Sequence, residues 1–411
     1  MMPICFASVV RRIRDSAEPL TCRRTGYGRV ATGRGATAVM RAPRIARCAD
    51  HLSLYARTRP NRSISDKSFD RRRAAGAPGG AVARSLLFRQ RCLPDLSAAR
   101  HGRGMNDAYE VIVIGGGAAG LSGALMLARS RRSVLVVDAG RPRNAPADGV
   151  HGLLGREGVN PLELVARGRE EVRGYGGEVV DGEVVSAARD GDGFVVELAG
   201  GRRVRGKRLL VTAGLVDELP DVPGLRERWG HDVVHCPYCH GWEIRDRAIG
   251  VLATGPMSVH QALLFRQLSE DVQFFPDRQP EPAGEQAEQL AARGITVVPG
   301  EVDRLEPEGV RLKSGRLFPR QAIAVATRMV ARAGFLAGLG LKPVEHPSGM
   351  GEHLPADPTG RTEVPGVWAA GNVTDLSAQV SSAAAQGALA GAQINFDLVA
   401  EETAAAVARR G

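Results

Sequence analysis

The chain is 411 residues long with a net charge of +10, too long for one average domain, so two domains plus an extra segment are expected. The charge sits in one place: residues 1–104 hold 22 of the 55 Lys and Arg but 6 of the 45 Asp and Glu, leaving that segment at +16 and the remainder at −6. A mildly acidic body offers no domain-wide basic face for nucleic acid, and no apolar run approaches the roughly 20 residues needed to span a bilayer.

Residues 1–104 are rich in Arg, Ala, Gly and Ser and show no sustained periodicity. The apolar stretch Pro3 to Val10 precedes its arginines, the wrong order for a secretory signal. Composition points to a disordered or non-native leader, with Met105 opening the folded part. An organelle transit peptide and a tail that meets something anionic are the other readings. Cys5, Cys22, Cys48 and Cys92 lie in this leader, and the body holds only Cys236 and Cys239. That is not the density of a secreted disulfide scaffold, so a reducing, cytoplasmic setting is expected.

Val111-Ile112-Val113-Ile114 is a β-branched run suited to a parallel strand buried on both faces. It leads into Gly115-Gly116-Gly117-Ala118-Ala119-Gly120, a helical stretch to Ser130, and a second strand from Ser133 to Val137 that ends at Asp138. This is GxGxxG in strand–turn–helix context with an acid about 20 residues on, the pattern of a dinucleotide site. Gly115 permits the tight turn, Gly117 lets backbone approach a pyrophosphate, and Gly120 lets helix and strand pack closely. The helix N-terminus faces the phosphates, and Asp138 can accept hydrogen bonds from a ribose.

A helix is expected from Pro161 with Asn160 as its cap. Glu178 to Gly214 reads as a small antiparallel meander, broken by Asp190-Gly191-Asp192-Gly193 and Gly200-Gly201. Asp221-Val222-Pro223-Gly224 has the look of a hinge into a second unit.

Beyond it stands His235-Cys236-Pro237-Tyr238-Cys239-His240-Gly241-Trp242-Glu243. Two thiols with two residues between them can close into a disulfide and reopen, storing two electrons, and either thiolate can attack an outside disulfide. The run also matches the c-type haem attachment pattern, but haem would need a distal ligand and a haem-sized pocket inside a nucleotide-binding fold. Structural zinc needs four ligands, and the body has no further cysteines, so no metal is expected. Tyr238 and Trp242 read as packing residues rather than substrate contacts. His235 reads equally as a packing or a catalytic histidine.

A second strand–turn–helix–strand unit follows: Ala248 to Leu252, the turn Ala253-Thr254-Gly255-Pro256-Met257-Ser258, a helix from Val259 to about Ser269, and Val272 to Phe275. Its fingerprint is damaged. Ala253 takes the first glycine position, Pro256 has no N–H for a phosphate, and Arg278 stands alone where a 2′-phosphate would want several cations. A working nicotinamide site and a bare scaffold for the cysteines are both compatible with it. Near the C-terminus, a strand from Val364 closes on Gly371-Asn372. Ala378-Gln379-Val380 then opens a helix of small residues, Ser381 to Ile394, suited to close packing on a cofactor.

Taken in order, these stretches resemble the low-molecular-weight thioredoxin-reductase family of flavoprotein disulfide oxidoreductases over nearly all of 105–411. The resemblance implies an α/β fold of two Rossmann-like (three-layer ββα) dinucleotide-binding domains, the second inserted in the first. The FAD-binding domain would be split between 105–218 and 332–411, with an inserted NAD(P)-like domain at 219–331 carrying the cysteines, and a homodimer is expected. It further implies FAD on Gly115, Gly117, Ala118, Ala119, Gly120 and Asp138, completed by Gly371, Asn372 and Gln379. Cys239 would be the charge-transfer thiol and Cys236 the interchange thiol, serving a thioredoxin-like protein or a small-molecule dithiol or disulfide. The family's aspartate after the second cysteine is His240 here, an imidazole able to act as acid and base near neutrality. Its Gly-Asp is Gly371-Asn372, and the arginine usual before Gln379 is Ala378. Cys-x-x-Cys-His with a weakened NAD(P)H site is also similar to the natural-product dithiol oxidases, which pass electrons through FAD to oxygen. A flavin redox sensor without turnover is the reading from outside enzymology.

Overall fold

The computed structural model describes residues 107–410, so the reading of residues 1–104 lies outside the described residues. The chain opens with β1 (Ala108–Ile114), α1 (Ala118–Arg129), β2 (Val134–Asp138), α2 (Pro161–Gly174), β3 (Glu178–Asp181), β4 (Val184–Asp190), β5 (Gly193–Leu198) and β6 (Arg203–Val211). The signal for α2 is met in full: Asn160 Oδ1 accepts from the N–H groups of Leu162 and Glu163, with Pro161 at the first helical position. The next stretch runs through β7 (Leu215–Glu218), α3 (Leu225–Arg228), β8 (Val233–Val234), α4 (Pro237–His240), β9 (Ile249–Leu252), α5 (Ser258–Phe265), β10 (Val272–Phe275), α6 (Glu285–Ala292) and β11 (Thr296–Val297). It continues with β12 (Val302–Glu306), β13 (Gly309–Leu312), β14 (Leu317–Pro319), β15 (Ala322–Val325), β16 (Arg328–Ala331), β17 (Val344–Glu345), β18 (Gly351–His353), β19 (Val367–Ala369) and α7 (Val380–Ala408).

The first sheet has the order β3-β2-β1-β6-β5-β4, with β19 also paired to β6. This corrects the expected meander. β3 is parallel to β2 and extends the nucleotide-binding sheet, and only β4, β5 and β6 form the antiparallel set. β6 serves both regimes: its first half bonds β5, while Leu209 to Val211 lie between β1 and β19 in parallel. Alternation along β1 then divides the core. Val111 and Val113 face α1 and α7, whereas Ile112 and Ile114 pack with residues of β4, β5 and β19.

The second sheet, β11-β10-β9-β15-β8, is parallel throughout. Val251 and Phe274 pack with Phe265 of α5 and Leu290 of α6, while Leu252 and Phe275 pack on the antiparallel β12-β13-β14. Each parallel sheet thus has helices on one face and antiparallel strands on the other, the three-layer arrangement. The segment Asp221–Gly224, where the chain enters the second unit, is packed on β12. Gly224 sits at φ 82 with its α-carbon pressed so close to β12 that a Cβ would fall 2.1 Å from Leu305 O, and Leu305 N–H donates to Pro223 O. The strands that join the two parts are β7 and β16, paired antiparallel.

Two elements near the C-terminus differ from expectation. β19 is short, because Val364 to Gly366 form a turn closed by Val367 N–H on Val364 O, and the strand starts only at Val367. α7 runs 29 residues rather than stopping at Ile394, since Glu401, Glu402 and Ala404 to Ala406 sustain a helix and neither glycine nor proline stands between Ile394 and Ala408. Its small residues serve a helix rather than a cofactor alone. A Cβ on Gly387 would meet Ala119 O at 1.9 Å, and one on Gly391 would meet Gly123 O at 2.6 Å, so α7 lies backbone against backbone on α1.

Candidate active site

The β1–α1 turn is built to leave room on one side only. Gly115 adopts φ 104, and a Cβ there would strike Thr212 O at 2.4 Å; a Cβ on Gly120 would strike Gly115 O at 1.9 Å. A Cβ on Gly117 would meet nothing within 4 Å. That open side carries the start of α1, whose N-cap Gly117 supplies no side-chain hydrogen bond, so first-turn N–H groups stay available to an anion. Thr212 Oγ1 braces the turn by donating to Ile114 O and Gly115 O at 3.0 and 2.8 Å.

Asp138, 8% exposed, is fixed at the end of β2. Its Oδ1 accepts from Gly116 N at 3.2 Å and its Oδ2 from Arg169 Nη2 at 3.1 Å. Gly116 is a residue that the sequence reading passed over: a Cβ there would lie 2.7 Å from the Asp138 side chain. A cleft lined by Asp138, Ala139, Gly140, Arg141, Asp181, Gly182 and Glu183 opens beside the carboxylate. Acceptors there suit ribose hydroxyls, and the open phosphate side at Gly117 completes a fit to a dinucleotide such as FAD.

Gly371 is brought to this turn, its virtual Cβ 2.8 Å from that of Ala119. Its N–H donates to Gln386 Oε1, and Gln386 Nε2 donates to Asp375 Oδ2, both at 3.0 Å. Asn372 staples its own loop, donating from Nδ2 to Asp375 O and Ala378 O at 3.1 and 2.9 Å, which leaves its Oδ1 as the group to offer a ligand. Gln379 N-caps α7 without a side-chain cap bond and directs Oε1 toward Gly152.

The cysteines occupy a single helical turn between β8 and β9. Cys236 is the N-cap of α4 and Cys239 its third residue, which sets the sulfurs 2.7 Å apart with the Cys239 thiol directed at Cys236 Sγ. The hydrogen bond from Cys239 is the chief reason the Cys236 thiol is lowered to about 7, outweighing burial, with N–H groups of Tyr238 and Cys239 and the charge of Arg143 adding to it. The same bond, with burial, pushes the Cys239 thiol well up. Within the pair Cys236 is therefore the sulfur that ionises first and Cys239 the one that keeps its proton. Burial lowers the His240 imidazole, so it is neutral there, and its Nε2 is buried with no hydrogen-bond partner.

Around the pair stand residues without any local signal in the sequence. Gln261 of α5, 7% exposed, donates from Nε2 to His235 O at 2.8 Å and pins the backbone just before Cys236. Arg143, from the loop after β2, makes a two-pronged ion pair with Asp217 of β7, at 2.6 and 2.7 Å, and Thr327 Oγ1 donates to the same carboxylate at 2.6 Å. Although burial works to raise it, Asp217 is held below its ordinary range by these partners. His235 is lowered by burial and by Arg143. Tyr238 and Trp242, expected to pack inside, are 68% and 65% exposed, and Trp242 is held flat by the Arg245 guanidinium 4.1 Å from its ring centre.

The turn after β9 is self-satisfied. Ser258 Oγ, on a residue only 1% exposed, accepts from Thr254 N at 3.0 Å and Gly255 N at 3.2 Å. Those are the N–H groups a phosphate would use, and Pro256 has none. Asp277 Oδ1 accepts from Val302 N, and Arg278 pairs with Glu301. As built, this turn does not present a pyrophosphate cradle comparable to the first.

The pyridine nucleotide-disulphide oxidoreductase family matches residues 109–387, more than half of the chain and both nucleotide-type turns. The chain belongs to that family. The oxidoreductase is 32% identical over 313 residues to the thioredoxin reductase tcpT of Claviceps purpurea, covering 72% of this chain and 96% of that relative. Among solved structures, HlmI shares 44% identity at a TM-score of 0.70, covering 75% of this chain and 98% of its own. An oxidoreductase from Agrobacterium tumefaciens shares 38% at 0.68, covering 72% and 99%. Like its relatives, this oxidoreductase has two Rossmann-type dinucleotide-binding folds. It is an FAD-dependent thiol–disulfide oxidoreductase, with NAD(P)H the family's usual second cofactor. Among its described residues no helix is long and apolar enough to cross a membrane.

Proposed function

We propose that Cys236 and Cys239 are the redox pair, that His240 moves their protons, and that FAD lies on Gly115, Gly117, Ala118, Ala119, Gly120 and Asp138, with Gly371, Asn372 and Gln379 beside it. The observation that carries this is the paired sulfurs, 2.7 Å apart with Cys236 the more acidic, next to a half-buried imidazole whose Nε2 has no hydrogen-bond partner. The Cys236 thiolate attacks one sulfur of an external disulfide, forming a mixed disulfide while the outside S–S bond breaks and its leaving sulfur takes a proton. His240 accepts the Cys239 proton, and Cys239 then attacks Cys236 Sγ, closing the internal disulfide and releasing the second outside thiol. FAD, when bound, supplies the two-electron exchange that returns the pair to the dithiol. Run backwards, the same exchange oxidises an external dithiol.

The outside thiol belongs to a thioredoxin-like protein or a small-molecule dithiol or disulfide, for which the exposed Tyr238 and Trp242 form an apolar rim beside the pair. We read the domains as 105–218 with 332–411 for FAD and 219–331 for the cysteines. We further propose a homodimer and a cytoplasmic, reducing setting, the latter because the body's cysteines are confined to this pair. Cys236→Ser and Cys239→Ser each abolish turnover under this reading; activity retained in either variant sinks it.

A second reading is favoured by Ser258. With the second turn's N–H groups already bonded, electrons enter from an external dithiol and leave to oxygen, yielding a disulfide and hydrogen peroxide. Anaerobic stopped-flow mixing with NADPH, NADH and a dithiol in turn decides between them. Rapid bleaching of the flavin by a nicotinamide gives the reductase. Bleaching by dithiol alone, reversed by air, gives the oxidase.

A further inference from the structure

Both ends of the cysteine turn are fastened to α5. Ahead of the pair, Val234 is in register with Ala324 of β15 and shares a core with Val259, Ala262 and Phe265 of α5. Behind it, Gly241 lies so close to Leu268, in the turn that ends α5, that a Cβ would fall 2.2 Å from Leu268 Cδ1. Gln261 reaches from the middle of α5 to the point where β8 gives way to the turn. Its side chain is 7% exposed, and Nε2 donates to His235 O at 2.8 Å. That bond settles the orientation of the amide, since a carbonyl takes only a donor. Oε1 is left buried without a partner, which is unfavourable. Methionine or leucine would fill the space without stranding an acceptor, so what the amide adds is the bond from Nε2.

The bond acts on Cys236 through one peptide plane. His235 O and the Cys236 N–H belong to the same rigid amide, so holding the oxygen sets the plane from which Cys236 departs. On its other side, Cys236 O accepts from Cys239 N at 3.2 Å and His240 N at 3.1 Å. With both flanking amides held, the Cα–Cβ direction of Cys236 is fixed, and only χ1 moves the sulfur that stands 2.7 Å from Cys239 Sγ. The second set of bonds is local and travels with the turn. The bond from Gln261 comes from 26 positions away and ties the entry of the turn to a helix.

We propose that Gln261 is a positioning residue of the redox pair: by holding the His235–Cys236 peptide it keeps the Cys236 sulfur aligned with Cys239 for closure of the disulfide. The proposal rests on the reading of Cys236 and Cys239 as that pair. Without the donor, the peptide is free to rotate in the dithiol. The effective concentration of one sulfur at the other then falls, and closure is disfavoured.

The test reads the equilibrium, not turnover. The flavin-loaded full chain is equilibrated anaerobically with reduced and oxidised glutathione, so that the dithiol and one glutathione disulfide give the internal disulfide and two glutathione thiols. Acid quenching, alkylation and mass spectrometry of the peptide holding Cys236 and Cys239 give the fraction closed, apart from the leader cysteines. Gln261→Met, unbranched and of similar length, removes the donor and the stranded acceptor together. Its equilibrium constant for closure is expected to fall about five-fold, the worth of one net hydrogen bond, while flavin absorbance and the urea midpoint stay as in the parent. Gln261→Leu carries the same expectation if Gln261→Met does not fold. A constant equal to the parent's in either folded variant overturns the proposal, and a lowered urea midpoint beside that unchanged constant makes Gln261 a brace of the fold alone. The redox reading fails separately, through activity retained in Cys236→Ser or Cys239→Ser.

Discussion

His240 shows what one half-buried side chain contributes when its Nε2 is enclosed. Burial keeps the imidazole neutral at pH 7, and its unpartnered Nε2 leaves a basic atom without a competing donor. A positioned acid/base group of this kind contributes about 10²–10⁴-fold. His240→Asn is expected to lower turnover by about 10²-fold while flavin absorbance and Cys236 alkylation stay as in the parent; a variant of undiminished rate removes His240 from the proton path. The pH profile follows from the neighbouring sulfur. With the Cys236 thiol at about 7, the attacking form is lost as pH falls below that value and saturates above it, so attack on an external disulfide rises across the pH 6–8 window. The pair and its histidine were legible because their chemistry is local, within five residues. Arg143 and Asp217 were not, because their partnership spans 74 positions and neither type is rare. Gly116 hid inside a motif that treats its position as free, although the Asp138 side chain fills the space of a Cβ there.

At the scale of elements, the crossing of α1 on α7 ties together the two stretches proposed to hold FAD. Gly123, Gly387 and Gly391 bring the helix backbones into contact, and Ala119 from the same seam touches Gly371. Adding a methyl at Gly387 drives it into a main-chain carbonyl that cannot rotate aside. Gly387→Ala is therefore expected to cost about 1–3 kcal/mol, read from urea midpoints, and to weaken flavin retention on gel filtration, since the seam sets the spacing between α1 and the Gly371 turn. Unchanged stability would mean that the helices part without strain. Here sequence reasoning saw the small residues but aimed them at a ligand, because a run of Ala, Ser and Gly does not say what approaches it. It also ended α7 at Ile394, where the helix face toward α1 fades, although the backbone continues to Ala408. Parallel strands and both strand–turn–helix units were readable from β-branched runs and glycine spacing. The pairing of β3 with β2 was not, since four residues of which only Val179 is buried carry no mark of direction.

For the whole molecule, the extra length of α7 is the feature that a single chain leaves unexplained. One side of the helix, through Ala383, Gly387, Ala390, Ile394 and Leu398, is buried against the sheet and α1. The opposite side carries Leu389, Phe396 and Val407 at 43%, 68% and 66% exposure, with Val399 nearby. At 100° per residue the first three fall within about 20° of one another, a stripe in line rather than a scatter. The ion pairs of α7, Asp397 and Glu401 with Arg208 and Glu402 with Arg132, lie away from this stripe, toward the sheet. Such a stripe, apolar and without charge among its helical neighbours Ala392, Gln393, Ala400 and Thr403, is suited to its own image across a two-fold axis. Phe396→Glu places a carboxylate at its centre, where pairing two copies would bury like charges against each other. The parent is expected to sediment as a dimer and Phe396→Glu as a monomer that keeps its flavin, because residue 396 lies on the side of α7 away from Ala119 and Gly371. A variant that still sediments with the parent would show that some other face joins the subunits.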